Sequence, residues 1–270
     1  GLINARMEKK TYESWSNIKN SAKLILEKFD FVYANDIVTS RRLLSLGISK
    51  SKLLGVVSSK EHAIPLSYEL EEREKFLKIF HNKKVWVAAS THQGEEEILE
   101  ATQKLLFDND QNFLLILVPR HPDRGLDIYK KLKLNGQVIK IRSKGQKITK
   151  ETSIYLADTL GELGLWYNLS KIVFLGGSLV KIGGHNPYEP CRFGNAIISG
   201  PYIFNFQEAF DQLRKNKALI IVKNAQELAV QIKNLSFKDN ASLLGHRGFK
   251  YVNSLANNCS KIINTISTFT

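Results

Sequence analysis

From residue 84 onward, short apolar runs rich in β-branched residues alternate with amphipathic stretches. A continuous apolar run between turn signals fits a strand buried on both faces, and apolar positions recurring every three or four residues fit a helix laid against that sheet. Strands are predicted near Val85–Ala89, Phe113–Val118, Val138–Ile141, Ile154–Leu156, Ile172–Leu175, Ala196–Ser199 and Leu219–Val222. Helices are predicted over Glu95–Leu106, Leu126–Leu132, Gly161–Leu169, Phe206–Arg214 and Ala225–Ile232. This alternation describes a doubly wound α/β domain around a parallel sheet, in which ligands bind beyond the carboxyl ends of the strands.

Ahead of residue 84 the pattern changes. A polar helical stretch from Lys9 to Lys28 leads into Phe31–Ala34, and Leu53–Val57 forms a second short apolar run, too few strands for a domain alone. Ser67–Phe80 reads as a charged helix with a solvated face, or a connector. Beyond Ser236 an Asn- and Ser-rich segment passes into a helical stretch carrying Leu243, Leu244, Phe249, Val252, Leu255, Ile262 and Ile263.

The 270 residues are 43% hydrophobic and 24% charged, enough for one large or two modest cores and unlike a disordered chain. A net charge of +13 favours phosphates, nucleotides, nucleic acid or an acidic membrane surface as partners. Cys191 and Cys259 stand far apart, which supports neither a disulfide framework nor a cysteine-based zinc site and fits a reducing compartment. The apolar runs are shorter than the roughly 18 residues of a membrane-spanning helix, so membrane association is expected to be peripheral. The chain opens on Gly1 without a signal-peptide pattern, and a fragment with a further upstream part is expected.

Four strand-end loops gather the candidate chemistry. Ser90, Thr91 and His92, followed by Gln93-Gly94-Glu95, lie between a strand and a helix, where free backbone N–H groups favour an anion or where Ser or Thr simply caps the helix. Pro119-Arg120-His121-Pro122-Asp123-Arg124 ends the most apolar strand. Only ten of the 39 basic residues are Arg, so two within this turn suggest bidentate recognition of phosphate or carboxylate, against the plainer reading of a solvated turn. In Asp158-Thr159-Leu160-Gly161-Glu162, Asp158 or Thr159 can cap the next helix while Gly161 admits a ligand ring to the backbone. Gly176-Gly177-Ser178 and Gly183-Gly184-His185-Asn186-Pro187 bring paired glycines that supply unhindered N–H donors. Asn186 and Pro187 read as an N-cap and first helical position, which puts Glu189 in the first turn, either compensating the dipole or accepting ribose hydroxyls. No P-loop, dinucleotide fingerprint, zincin or hydrolase-elbow motif is present. The basic run Lys140, Arg142, Lys144, Lys147 and Lys150 reads as a solvated loop or as a holder of an anionic acceptor or membrane.

Taken together, Ala89-Ser90-Thr91-His92 with Gly94-Glu95-Glu96, Leu117-Val118-Pro119-Arg120-His121-Pro122, Asp158-Thr159-Leu160-Gly161-Glu162-Leu163, Gly176-Gly177-Ser178-Leu179-Val180, and Gly183-Gly184-His185-Asn186-Pro187 with Glu189-Pro190 closely resemble the 3-deoxy-D-manno-octulosonic acid (Kdo) transferases of lipopolysaccharide synthesis. Asn4-Ala5-Arg6-Met7 resembles a motif late in that family's first domain. The resemblance implies a GT-B glycosyltransferase: a C-terminal Rossmann-like domain binding CMP-Kdo, and an inverting, metal-independent transfer of Kdo to a lipid A precursor, lipid IVA. It implies no cofactor, no nucleic-acid partner, and a peripheral place on the anionic cytoplasmic face of the bacterial inner membrane. Its division of the chain is residues 1–66 as the end of the acceptor domain and connector, 67–235 as the CMP-Kdo-binding domain, and 236–270 as a helix packing back across both.

By the same resemblance Arg120 lies beside the cytidine nucleotide with Pro119 and His121, and Ser90, Thr91 and His92 belong to the donor site. Leu160, Gly161 and Glu162 line the base pocket, Gly177, Ser178, Gly184, His185 and Asn186 approach phosphate and sugar, and Glu189 takes the ribose hydroxyls. The family's general base lies in the first domain, so no catalytic base is named. Two departures stand out: Gly55-Val56-Val57-Ser58-Ser59-Lys60 where the family carries Gly-Asn-Leu-Lys-Phe-Asp, and Leu160 in place of Met. The rival readings are a GT-B transferase using a UDP-sugar, a non-catalytic nucleotide- or anionic-lipid-binding remnant, and, more remotely, a nucleic-acid binder.

Overall fold

A computed structural model describes residues 1–56 and 66–268. The chain divides into two compact units, residues 1–64 with 254–270, and residues 65–253. In the smaller unit, strands β1 (Leu2–Ala5), β2 (Val32–Ala34) and β3 (Leu53–Val56) form a parallel sheet in the order β1-β2-β3. The polar stretch from Lys9 breaks at Asn17-Ile18 into α1 (Lys9–Ser16) and α2 (Lys19–Leu26), and α3 (Ile37–Ser45) follows β2. Asp36 caps α3, accepting from the Thr39 N–H at 2.6 Å. Ala22 and Leu26 of α2, Val32 and Ala34 of β2, and Leu43 of α3 meet in one apolar cluster. Residues 57–60 of the departing segment lie outside the described residues, as do the side chains of Ile262 and Ile263.

The larger unit carries β4 (Lys84–Thr91), β5 (Phe113–Pro119), β6 (Ile139–Ile141), β7 (Ile154–Leu156), β8 (Ile172–Leu175), β9 (Ala196–Ser199) and β10 (Leu219–Ile221). All pair in parallel, in the order β10-β9-β8-β4-β5-β7-β6. Its helices are α4 (Leu70–Ile79), α5 (Glu96–Phe107), α6 (Gly125–Leu134), α7 (Leu163–Leu169), α8 (Tyr188–Cys191), α9 (Gln207–Lys215) and α10 (Ala225–Leu235), with the first part of α11 (Asn240–Thr268), whose residues from 254 on are counted with the smaller unit. Every residue of β5 is buried, which a sheet covered on both faces requires. Trp86, Leu115, Leu117, Phe174 and Ile198 form the centre of the core, each such side chain contributing roughly 1.5–3 kcal/mol of apolar burial. Trp86 and Gln103 are paired within it: the Trp86 Nε1–H donates to Gln103 Oε1 at 2.8 Å, and Gln103 Nε2 donates to the Phe113 carbonyl at 3.0 Å. The strand order reverses at β4, which has β5 on one side and β8 on the other, so the switch point of the sheet lies between β4 and β8.

Among the described residues no helix is long and apolar enough to cross a membrane. Cys191 is free and buried.

Candidate functional site

At the end of β4, Ser90 takes φ +57 and the register with β5 skips it, pairing Ala89 with Val118 and Thr91 with Pro119. This bulge presses the chain against the neighbouring strand end: a Cβ on Gly176 would lie 2.5 Å from the Ser90 carbonyl oxygen, so only glycine fits there. The loop then folds back so that Glu95, fully buried, accepts hydrogen bonds from four backbone N–H groups. They are His92 at 3.1 Å, Gly177 at 2.7 Å, Ser178 at 2.9 Å and Leu179 at 2.9 Å.

The sequence reads the paired glycines as unhindered N–H donors, and for Gly177 and Gly184 the structure corrects it. The N–H groups of Gly177 and Ser178 are held by Glu95, and that of Gly184 by the Gly177 carbonyl at 2.8 Å. The Ser178 hydroxyl is also internal, donating to the Leu175 carbonyl at 2.6 Å and accepting from Gly200 N–H at 2.7 Å. Thr91 is likewise turned inward and fully buried, its hydroxyl donating to Glu96 at 3.3 Å. Ser90 is half-buried at the bulge and Pro119 is buried at the strand end.

Outside this internal layer a polar group faces solvent. Nε2 of His92 and Nε2 of His185 are 2.8 Å apart, with ring planes 6° apart and centroids 5.1 Å apart. Those three values describe two imidazoles meeting edge to edge in one plane, one nitrogen protonated and the other accepting. The His121 ring stands at 80° to His92, centroids 5.9 Å apart. Burial, the neighbouring His92 and the nearby Arg120 charge lower His185 to about 4. His92 is lowered chiefly by burial and by His121. Arg120 is exposed, its backbone N–H donates to the Thr91 carbonyl at 3.0 Å while its guanidinium has no hydrogen bond or ion pair among the described residues, and it bears electrostatically on His92, His185 and Glu189 together. Arg124, by contrast, is engaged with buried Glu96 through two hydrogen bonds at 3.0 and 3.3 Å.

Helix α8 begins one residue later than the sequence suggests. Pro187 stands at its N-cap, and Asn186 Oδ1 accepts from the Tyr188 N–H at 3.1 Å, still capping from just outside. Glu189 falls in the first turn as expected, with its carboxylate accepting from Asn186 Nδ2 at 3.3 Å. Burial raises its pKa, opposed by that hydrogen bond and by Arg192 and Arg120.

The loop after β7 is open at its tip. Leu160 is 81% exposed and Gly161 takes φ +82 with free space where a side chain would stand. Its flanks are fixed. Asp158 does not cap α7; its carboxylate accepts from Ser143 N–H at 2.9 Å and from the Ser143 hydroxyl at 2.7 Å. Glu162 accepts from Arg142 at 3.1 and 2.6 Å and from the Thr159 hydroxyl. Arg142 is therefore not a solvated member of the basic run. It also donates to Glu72 of α4 at 2.8 Å and lies over the rings of Phe76 and Trp166, and the Glu162 carboxylate chiefly drives its pKa further up.

The structure thus brings His92, Arg120, His121, His185, Asn186 and Glu189 to the switch-point edge, with Leu160 and Gly161 on the loop after β7. It uses Thr91, Ser178 and Glu162 to hold that edge in shape. The parts played by Glu95 and Arg142 are not visible in the sequence, where an acidic residue at a helix start reads as dipole compensation and an Arg among lysines as a surface charge. Among the described residues no group of three or more His, Cys, Asp or Glu is placed to hold a metal ion.

Residues 1–63 match the family model of 3-deoxy-D-manno-octulosonic-acid transferase (kdotransferase). The chain is 34% identical to 3-deoxy-D-manno-octulosonic acid transferase of Haemophilus influenzae, over 92% of this chain and 59% of that protein. It is 32% identical to a probable mitochondrial 3-deoxy-D-manno-octulosonic acid transferase of Arabidopsis thaliana, over 86% of this chain and 53% of that one. The chain thus spans little more than half the length of these curated relatives. Among solved structures it is similar to the C-terminal CMP-Kdo binding domain of WaaA from Acinetobacter baumannii, 34% identical with a TM-score of 0.63, over 67% of this chain and 95% of that one. Anabaena Alr3699/HepE in complex with UDP and glucose, 11% identical with a TM-score of 0.52 over 98% of this chain and 70% of that one, shares the fold.

Proposed function

The chain belongs to the 3-deoxy-D-manno-octulosonic acid transferase family, and from that premise we propose that its larger unit binds CMP-Kdo, for transfer of Kdo to a lipid A precursor, lipid IVA, with release of CMP. The observation that carries the reading is the convergence of a free Arg120, the His92–His185 pair and the Glu189 carboxylate at the switch point of the sheet. Arg120 takes the phosphate: a guanidinium without an internal partner keeps its fork for an anion. As the bond from the anomeric carbon to phosphate breaks, negative charge grows on the departing CMP. A cation beside half-buried imidazoles stabilises that charge. Glu189 accepts the ribose hydroxyls, and the open Leu160-Gly161 tip covers the base. The acceptor hydroxyl attacks the anomeric carbon opposite the leaving phosphate, inverting it. The reaction calls for no resident cofactor or metal, and we assign the base to no residue of this chain. The net charge of +13 supports peripheral binding to an anionic membrane surface, the cytoplasmic face of the inner membrane, where the acceptor lies.

Calorimetry of CMP against UMP at moderate salt tests the donor site. The expected result is preference for CMP, weakened about tenfold by Arg120→Ala and severalfold by Glu189→Gln, in line with the loss of charge-assisted hydrogen bonds. Absence of binding, or equal binding of both nucleotides untouched by either change, overturns the assignment. Preference for UMP points instead to a UDP-sugar donor.

A further inference from the structure

We propose that Glu95 is the positioning residue of the donor site: its carboxylate fills the backbone cradle of Gly177, Ser178 and Leu179 in place of an external anion and thereby holds His92 opposite His185. The inference rests on the reading that this edge binds the donor nucleotide.

Three successive backbone N–H groups converging on one point, with the first residue at φ +66, make the kind of concavity that ordinarily receives a phosphate or carboxylate ligand. Here the chain supplies the anion itself. Glu95 has no cationic partner among the described residues, and a carboxylate taken out of water is tolerated only when its lone pairs are met. Four backbone donors meet them.

The fourth donor links the cradle to the site. Oε2 of Glu95 takes the N–H of His92 together with that of Gly177, so one oxygen ties the end of β4 to the end of β8. Gly177 in turn lies against the His185 ring, where a Cβ would fall 3.2 Å from its Nε2. Glu95 therefore sets both sides of the His92–His185 contact without touching either ring. The charged groups bearing on the pair are His121, Arg120, Arg124 and Glu96, none of which bonds to Glu95. With the cradle already filled, an incoming phosphate is directed outward to Arg120 and the imidazole edges.

The test uses the whole chain without ligand, labelled with nitrogen-15 at histidine, and follows each imidazole through a pH titration. In the native protein His92 and His185 are expected to titrate below the ordinary histidine value, chiefly because they are partly buried. Glu95→Gln keeps the shape but turns an amide NH2 toward the backbone donors. It is expected to raise the His92 and His185 titrations toward the ordinary histidine range. Glu95→Asp, which keeps the charge on a shorter arm, is expected to fall between native and Gln forms. A folded Glu95→Gln protein with native His92 and His185 titrations overturns the proposal. If that variant does not fold, a Glu95→Asp protein indistinguishable from native at both histidines overturns it equally. In parallel, CMP affinity in Glu95→Gln is expected to drop by about tenfold, because the groups that meet the nucleotide lose their placement. Native protein that does not bind CMP sinks the donor reading, while the histidine titrations judge Glu95 by themselves.

Discussion

Two imidazoles that meet nitrogen to nitrogen can share one proton but resist carrying two. For His185 this repulsion adds to burial, and its pKa of about 4 lies well below the ordinary 6.5 of the unfolded chain. Between those values the unfolded state binds a proton that the folded state refuses, so folding stability falls as pH drops from about 6.5 toward about 4 and rises again with pH. Thermal melting across that range is expected to show a steeper loss for the native protein than for His185→Gln; parallel curves would remove His185 from the account. Comparing the two proteins cancels groups of opposite sign, such as Glu189, whose raised pKa favours the folded state at lower pH. At this scale Arg120 and His121 are legible in the sequence because prolines and two arginines crowd one strand end. Glu95 is not, since the donors that reveal its function come from residues 177–179, far along the chain.

Arg142 shows how elements are joined at the edge of the sheet. It leaves the end of β6, reaches Glu162 before α7 and Glu72 on α4, and has only 20% of its side chain exposed. Replacing it with Met leaves two carboxylates facing each other without their cation. Urea unfolding is expected to register a loss of roughly 2–4 kcal/mol, the range for breaking a largely buried pair. An unchanged midpoint would reduce the network to surface decoration. Gly245 of α11 is a second joint: a Cβ there would lie 1.9 Å from the Gly194 carbonyl oxygen, so the helix rests directly on backbone. Gly245→Ala is expected to cost about 1–3 kcal/mol despite the better helix propensity of alanine, by the same measurement. The strands from residue 84 onward are legible because a sheet covered on both faces demands unbroken apolar runs, and β7 and β8 run as their runs predict. Helix α7 starts at Leu163 rather than Gly161, because the positive φ of Gly161 and the hold on Glu162 keep that turn out of the helix. Strand β1 and helix α3 escape the pattern: β1 has only four residues with Asn4 at φ +57, and α3 carries a mixed, weakly sided sequence.

As a whole, the larger unit has its own core running from β4 and β5 through β9 to α10. Residues 66–253 expressed alone are expected to melt as one cooperative transition and to bind CMP with the affinity of the full chain; a molten, non-cooperative fragment would refute this. The doubly wound class was open to reading because strand and helix periods alternate, but the strand order was not. Periodicity says that a strand is buried without saying which strands flank it, and here β7 slips between β5 and β6. The central place of β4 also has a consequence in time. Of the seven-stranded sheet a ribosome delivers β4 first, then β5, while β8, which closes the other edge of β4, begins about 80 residues after β4 ends. At roughly 5–20 residues per second that edge waits on the order of 4–16 s with its backbone groups unpaired. During that interval a nascent chain offers an apolar strand edge to any neighbour, so yield in cells is set by what shields β4 before β8 arrives.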